Sequence, residues 1–197
     1  MLAIKKYCRI DAGECRMNGQ MVYGSGNLTV REFLSGLYRN TGIDYPKFFK
    51  MDVLAKAGFL VAELLLEGTD TGDGQKTGIF LSNCSSSLDT DRHYQETIGE
   101  EYFPSPSVFV YTLPNIVLGE ICIRHKIYGE NTFFVSEEFQ VKTLCEYTRA
   151  VFGETGMERA LVGWLECCGE SCNVLALLVE KQDGGTEFNE ENINRLK

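Results

Sequence analysis

Residues 50–68 read KMDVLAKAGFLVAELLLEG. Their apolar positions fall on every side of a helical wheel rather than along one stripe. Met51, Val53, Leu54, Phe59, Leu60, Val61, Leu64, Leu65 and Leu66 cover nearly the whole circumference, the pattern of a helix enclosed by other elements. A helix over residues 50–67 is therefore expected at the centre of the fold. The longest apolar run, residues 59–66, is far shorter than the roughly 20 residues that cross a bilayer, and charges interrupt such runs.

Working outward, residues 2–10 alternate as a strand does, and Thr29 followed by Glu32 forms a capping box opening a helix to about Arg39, closed by Asn40 and Gly42. Residues 68–76 are polar and turn-forming. Residues 77–82 then give a short apolar strand, bounded by Asn83 and three serines. Residues 89–98 fit a short helix, and Pro104, Pro106 and Pro114 mark a loop leading to a helix from Pro114 to about Tyr128, stopped by Gly129. Residues 132–135 are a compact strand, and residues 137–152 resume helical spacing until Gly153 and Gly156. Two last strands, 159–165 and 173–180, flank a short loop at Gly169 and are expected to pair antiparallel. The polar residues from Gln182 onward are expected to fray. Helices and strands alternate, so the expected class is α/β, a mainly parallel sheet with helices on its faces. The expected organisation is one domain over residues 1–181 and a polar tail over 182–197.

A chain of 197 residues with 44% apolar and 24% charged composition suffices for one core of its own. The net charge of −9 and the lack of a Lys/Arg run argue against nucleic acid, and by the same reasoning against an acidic ligand. The chain opens on the alternating stretch rather than on a basic region followed by an apolar block, so no leader or membrane span is expected and the expected location is cytoplasmic. The eight cysteines fall largely within expected strands and helices and read as free thiols. Cys167, Cys168 and Cys172 form no CxxC pair, and both histidines, His93 and His125, lie well upstream, so no metal is expected.

Residues 104–135, PSPSVFVYTLPNIVLGEICIRHKIYGENTFFV, resemble the β-ketoacyl synthase stretch in which a helix leads into the strand before the nucleophile. Residues 50–68 resemble that family's buried helix, GIFLSN at 78–83 its second core strand, and residues 150–166 the elements following the nucleophile. The similarity covers most of residues 47–180. It implies the N-terminal half of a thiolase-like fold: a five-stranded mixed sheet, order 3-2-1-4-5, the last strand antiparallel, with helices on both faces. The family's second half, with its two histidines and lysine, has no counterpart. The short link at residues 167–171 resembles that of the non-catalytic, chain-length-factor-like proteins of bacterial aryl polyene and polyketide clusters.

In that family a cysteine opens the helix after the strand at 132–135, where the helix N-terminus favours thiolate. Here Ser136, Glu137 or Glu138 occupies that place, and the spacing does not choose among them. A serine there needs a base to become nucleophilic, and a carboxylate cannot carry the family's acyl thioester. The bland reading of the glutamates is favourable interaction with a helix dipole in its first turn. His125 and His93 read as helix-end residues and Cys84 as a buried thiol at a strand end. The resemblance implies that Asn131, Thr132, Phe133, Phe134 and Val135 pair with a complete β-ketoacyl synthase subunit or a second copy as a dimer. Left uncovered, that edge invites aggregation. An acyl carrier protein is expected to be met only indirectly, through the partner, and no cofactor is expected. The expected function is a non-catalytic subunit that helps shape the partner's acyl tunnel, using the helix at 113–128. The alternatives are a stand-alone acyl transferase or malonyl decarboxylase using Ser136, Glu137 or Glu138, and a small acyl-ligand binder.

Overall fold

The computed structural model describes residues 1–69, 72–99, 103–182 and 184–197. At its centre lies the expected helix, running Val53–Leu66 with eleven of its fourteen residues buried. The Asp52 carboxylate caps it, accepting the Ala55 N–H at 2.7 Å.

In chain order, β1 (Leu2–Asp11), β2 (Glu14–Met17) and β3 (Gln20–Gly24) precede α1 (Val30–Thr41), and the central helix is α2. Then come β4 (Thr77–Asn83), α3 (Leu88–Glu96), α4 (Pro106–Phe109), α5 (Ile116–His125), β5 (Asn131–Val135) and α6 (Val141–Thr155). β6 (Arg159–Cys168), β7 (Ser171–Lys181), β8 (Thr186–Glu187) and α7 (Glu190–Asn194) complete the chain. The Thr29 and Glu32 capping box closes reciprocally, and Gly42 ends α1 in the left-handed conformation at φ 69°.

All strands join one mixed sheet of order β3-β2-β1-β7-β6-β4-β5, and β8 adds to the far end of β1. β4 runs parallel to both β5 and β6, while β7 is antiparallel to β6 and β1. The expected α/β class with a mixed sheet therefore holds, with eight strands among the described residues in place of five. The expectation of a mainly parallel sheet does not: only the β4–β5 and β4–β6 pairings are parallel and the other five are antiparallel, because hairpins rather than helical crossovers build the β1 side. β1 lies beyond the β6–β7 hairpin rather than between β4 and β6. β7, with six consecutive buried residues, takes the two-sided inner position, whereas the partly exposed β1 fits further out. Two hairpins account for two of the three extra strands, β2 and β3, and the C-terminal β8 is the third. Ala12–Gly13 and Asn18–Gly19 all carry positive φ, the conformation of the two-residue turns that match strand twist.

α1, α2 and α5 cover one face of the sheet, with Phe33, Leu37, Phe59, Leu65 and Ile121 in that core. α6 and α7 cover the other, where Leu144, Phe152, Phe188 and Ile193 meet Phe80 and Leu177. The tail expected to fray is thereby pinned. Phe188 and Ile193 are fully buried, the Phe188 N–H donates to the Leu2 carbonyl at 3.0 Å, and Arg149 donates to the Phe188 carbonyl at 2.7 Å. Two apolar anchors in a polar segment are enough to hold it. Phe188→Ala is expected to destabilise the chain by about 3 kcal/mol, read as a lower urea midpoint and faster amide exchange in β8 and α7.

Several boundaries move, two of them around the loop after β5 and the helix before it. α5 starts at Ile116 and ends at Lys126 in the left-handed conformation, φ 54°, short of Gly129. α6 starts at Val141, four residues after the expected Glu137. Finally, Cys167 and Cys172, directly opposed in the β6–β7 register with Cα atoms 4.1 Å apart, are disulfide-bonded. The free-thiol expectation holds for Cys8, Cys15, Cys84, Cys122, Cys145 and Cys168.

Candidate functional site

β5 ends the sheet, and among the described residues only β4 pairs with it. The Ile79 N–H donates to the Glu130 carbonyl and the Ser136 N–H to the Asn83 carbonyl, both at 3.0 Å. Even-numbered residues thus face β4, and alternation leaves the N–H and C=O groups of Asn131, Phe133 and Val135 directed away from the sheet. The side chains alternate between faces. Phe133 packs against the core under α2, while Phe134 packs against the core under α6 and meets the Tyr147 ring edge-on at 5.1 Å. The Thr132 and Tyr147 hydroxyls lie 2.7 Å apart, which ties the strand to α6. Val135 is 55% exposed.

Beyond β5 the chain makes a loop rather than a helix, and this changes the surroundings of all three nucleophile-position candidates. The Ser136 hydroxyl donates to the Glu138 backbone carbonyl at 2.8 Å. Gln140 donates to the Glu138 carboxylate at 3.2 Å, and Glu137 is exposed. None sits in the first turn of a helix, so the helix-dipole reading of the glutamates does not apply. Phe139 stacks on Trp164 with ring centres 5.5 Å apart, which fixes the loop from its far side. No imidazole reaches Ser136 among the described residues. His93 faces Glu96 of its own helix at 3.4 Å, and His125 Nε2 lies 3.0 Å from Glu63 Oε1. The geometry therefore gives Ser136 an acceptor for its proton that is a backbone carbonyl, which cannot act as a base.

The carboxyl ends of the parallel strands β4, β5 and β6 meet here, the usual place for a ligand in an α/β sheet. Two residues not singled out as a pair converge on it. Cys84 is exposed rather than buried, because β4 ends one residue before it. Its backbone N–H and that of Ser85 both donate to the Glu166 carboxylate, at 2.7 and 3.0 Å. Glu166 stands one turn of alternation from Trp164 on β6, and only the β4–β6 register brings it to Cys84.

No family model matches the chain, and no curated protein matches it in sequence. Solved structures do. The ishigamide ketosynthase/chain length factor superposes with a TM-score of 0.67 over 91% of this chain at 16% identity. The chain has the ketosynthase fold. A type II polyketide acyl-carrier protein in complex with its ketosynthase, AntDE:AntF, gives 0.68 over 92% at 14% identity. The ketosynthase ApeO in complex with its chain length factor ApeC, from Xenorhabdus doucetiae, gives 0.60 over 93% at 15% identity. This chain spans 62% of the matched ishigamide and AntDE:AntF chains and 80% of the ApeO/ApeC one. Among the described residues no single helix is long and apolar enough to cross a membrane.

Proposed function

We propose that this chain is a non-catalytic ketosynthase-like subunit that pairs through β5 with a complete β-ketoacyl synthase, or with a second copy, and helps shape an acyl tunnel in cytoplasmic fatty acid, polyene or polyketide synthesis. The observation that carries the reading is an open strand edge beside a loop with no cysteine: Asn131, Phe133 and Val135 present backbone groups with no partner among the described residues, and residues 136–138 are Ser-Glu-Glu. The proteins sharing the fold include a ketosynthase in complex with a chain length factor, which supports a paired role. A carrier protein would be docked by the partner, since the −9 charge of this chain repels an acidic one.

The test is co-expression with a ketosynthase from the same genome, followed by size-exclusion chromatography with light scattering. The wild-type chain is expected to run as a heterodimer or homodimer. Val135→Pro removes an outward N–H at an edge, where proline is tolerated, and is expected to leave a folded monomer. A wild-type chain that is monomeric with and without the synthase would sink the reading. Covalent labelling by an acyl thioester, or carbon dioxide released from malonyl thioester, would favour Ser136, Glu137 or Glu138 chemistry instead.

A further inference from the structure

A cleft of about 500 Å³ opens between the starts of α1 and α2, α3 and the segment Pro106–Thr112. Its floor is polar and internally satisfied. The Thr90 hydroxyl donates to Asp52 at 2.6 Å, the second Asp52 oxygen caps α2, and Tyr111 donates to the buried Glu120 at 3.0 Å. Glu120 is in turn paired with Lys47 at 2.8 Å.

The walls are different. Lys56 projects from α2 half-buried, and among the described residues no carboxylate comes within ion-pair distance of it. Burial first, and the Arg31 guanidinium second, push its pKa down against the opposing charge of Asp52, and its Nζ stands over the Phe48 ring, 5.6 Å from the centroid. Among the described residues Arg31 has only Asp89 as an ion-pair partner, 3.6 Å away. Lys50 lines the same cleft with no ion pair among the described residues. Beside these cations stands the Phe49 ring, 55% exposed, with Met51 and Val108 completing an apolar side. The overall charge of −9 argues against an acidic ligand only on average; here three lining cations, Arg31, Lys50 and Lys56, stand against one lining carboxylate, Asp52.

We propose that this cleft binds a phosphate monoester carrying an aromatic or similarly compact apolar body, the phosphate between Lys56 and Arg31 and the body against Phe49. Two neighbouring cations that repel each other are best served by a doubly charged oxyanion, which favours phosphate over carboxylate. The volume falls within the range of small-molecule sites, roughly 300–1,000 Å³. This site is separate from β5 and stands or falls without the pairing proposal.

Calorimetric titration of the full chain with phenyl phosphate, inorganic phosphate and benzoate tests it. Phenyl phosphate is expected to bind at least tenfold more tightly than either of the others. Lys56→Ala and Arg31→Ala, both at helix positions that accept alanine, are expected to weaken it at least tenfold. Phe49→Ala is expected to reduce it to the affinity of inorganic phosphate, and Lys142→Ala on α6 to leave it unchanged. Equal affinity for the three probes, undetectable binding of phenyl phosphate, or full binding by folded Lys56→Ala and Arg31→Ala chains would overturn the proposal.

Discussion

Gly58→Ala is expected to destabilise the chain by about 2 kcal/mol, although alanine is the better helix former. In the middle of a helix the exchange alone favours alanine by about 1 kcal/mol. A Cβ at Gly58, however, would lie 2.2 Å from Val117 Cγ2 and 3.1 Å from Leu165 Cδ2, where carbon atoms prefer about 3.5–4.0 Å. Val117 cannot swing aside. It is buried on α5 and stiff at its first torsion, so α2 and α5 must separate and open the core that both build. Overpacking of this kind costs about 1–3 kcal/mol and occasionally more, which outweighs the propensity gain. Gly119→Ala is the matched control, because a Cβ there meets nothing within 4 Å, and that variant is expected to gain up to about 1 kcal/mol. Urea midpoints should thus move in opposite directions with unchanged slopes. The Gly58→Ala midpoint in heating should fall by about 4–8 °C. A Gly58→Ala chain as stable as the parent would mean that α2 does not cross α5 at this residue.

That crossing also marks the limit of what the chain's order of residues discloses. The all-round apolar face of residues 53–66 announces an enclosed helix, and Thr29 with Glu32 announces the start of α1, because both signals are local. Asn18–Gly19 is equally local, a two-residue hairpin signal flanked by short strands, yet β2 and β3 went unexpected because their burial is weak and no apolar run draws attention to them. Phe188 and Ile193 are two anchors in a polar stretch, too sparse to set a period. The place of β1 beyond β7 depends on long-range pairing that no window of residues contains. Residues 137–140 fit a helix by pattern because Val141, Leu144 and Cys145 have the right spacing and the preceding residues do not contradict it; Phe139 stacking on Trp164, 25 residues ahead, is what holds them out. The convergence of Cys84 with Glu166 and the cationic cleft at Lys56 likewise arise only once the elements are assembled.

Acid is expected to weaken the chain through Glu63, and Arg124→Ala to do so at neutral pH. Glu63 on α2 has a side chain only 10% exposed. Burial alone would raise its pKa, but hydrogen bonds and charge from His125 and Arg124 outweigh it and hold the carboxyl at about 2, against an ordinary 4.5. Arg124 supplies two of those contacts, Nε at 2.7 Å and Nη2 at 3.1 Å, while stacking over the Tyr45 ring at 5.1 Å. The carboxyl is held lower in the folded chain than in the unfolded one, so its contribution is complete above about pH 4.5 and is lost as the pH falls towards 2. Its full size is up to about 3 kcal/mol. Arg124→Ala leaves a buried carboxylate with one partner and is expected to cost about 2–3 kcal/mol at pH 7, towards the lower end for a broken buried pair because the guanidinium is itself partly exposed. The deficit should shrink as the pH falls from about 4.5 towards 2, because Glu63 protonates in that range, first in the variant that lacks the guanidinium and last in the parent. Breaking the exposed Arg195 and Glu191 pair should cost under about 1 kcal/mol at any pH. Denaturation midpoints between pH 2.5 and 7 decide the matter: a constant difference between Arg124→Ala and the parent chain would show that the guanidinium acts through packing on Tyr45 and not through the carboxylate.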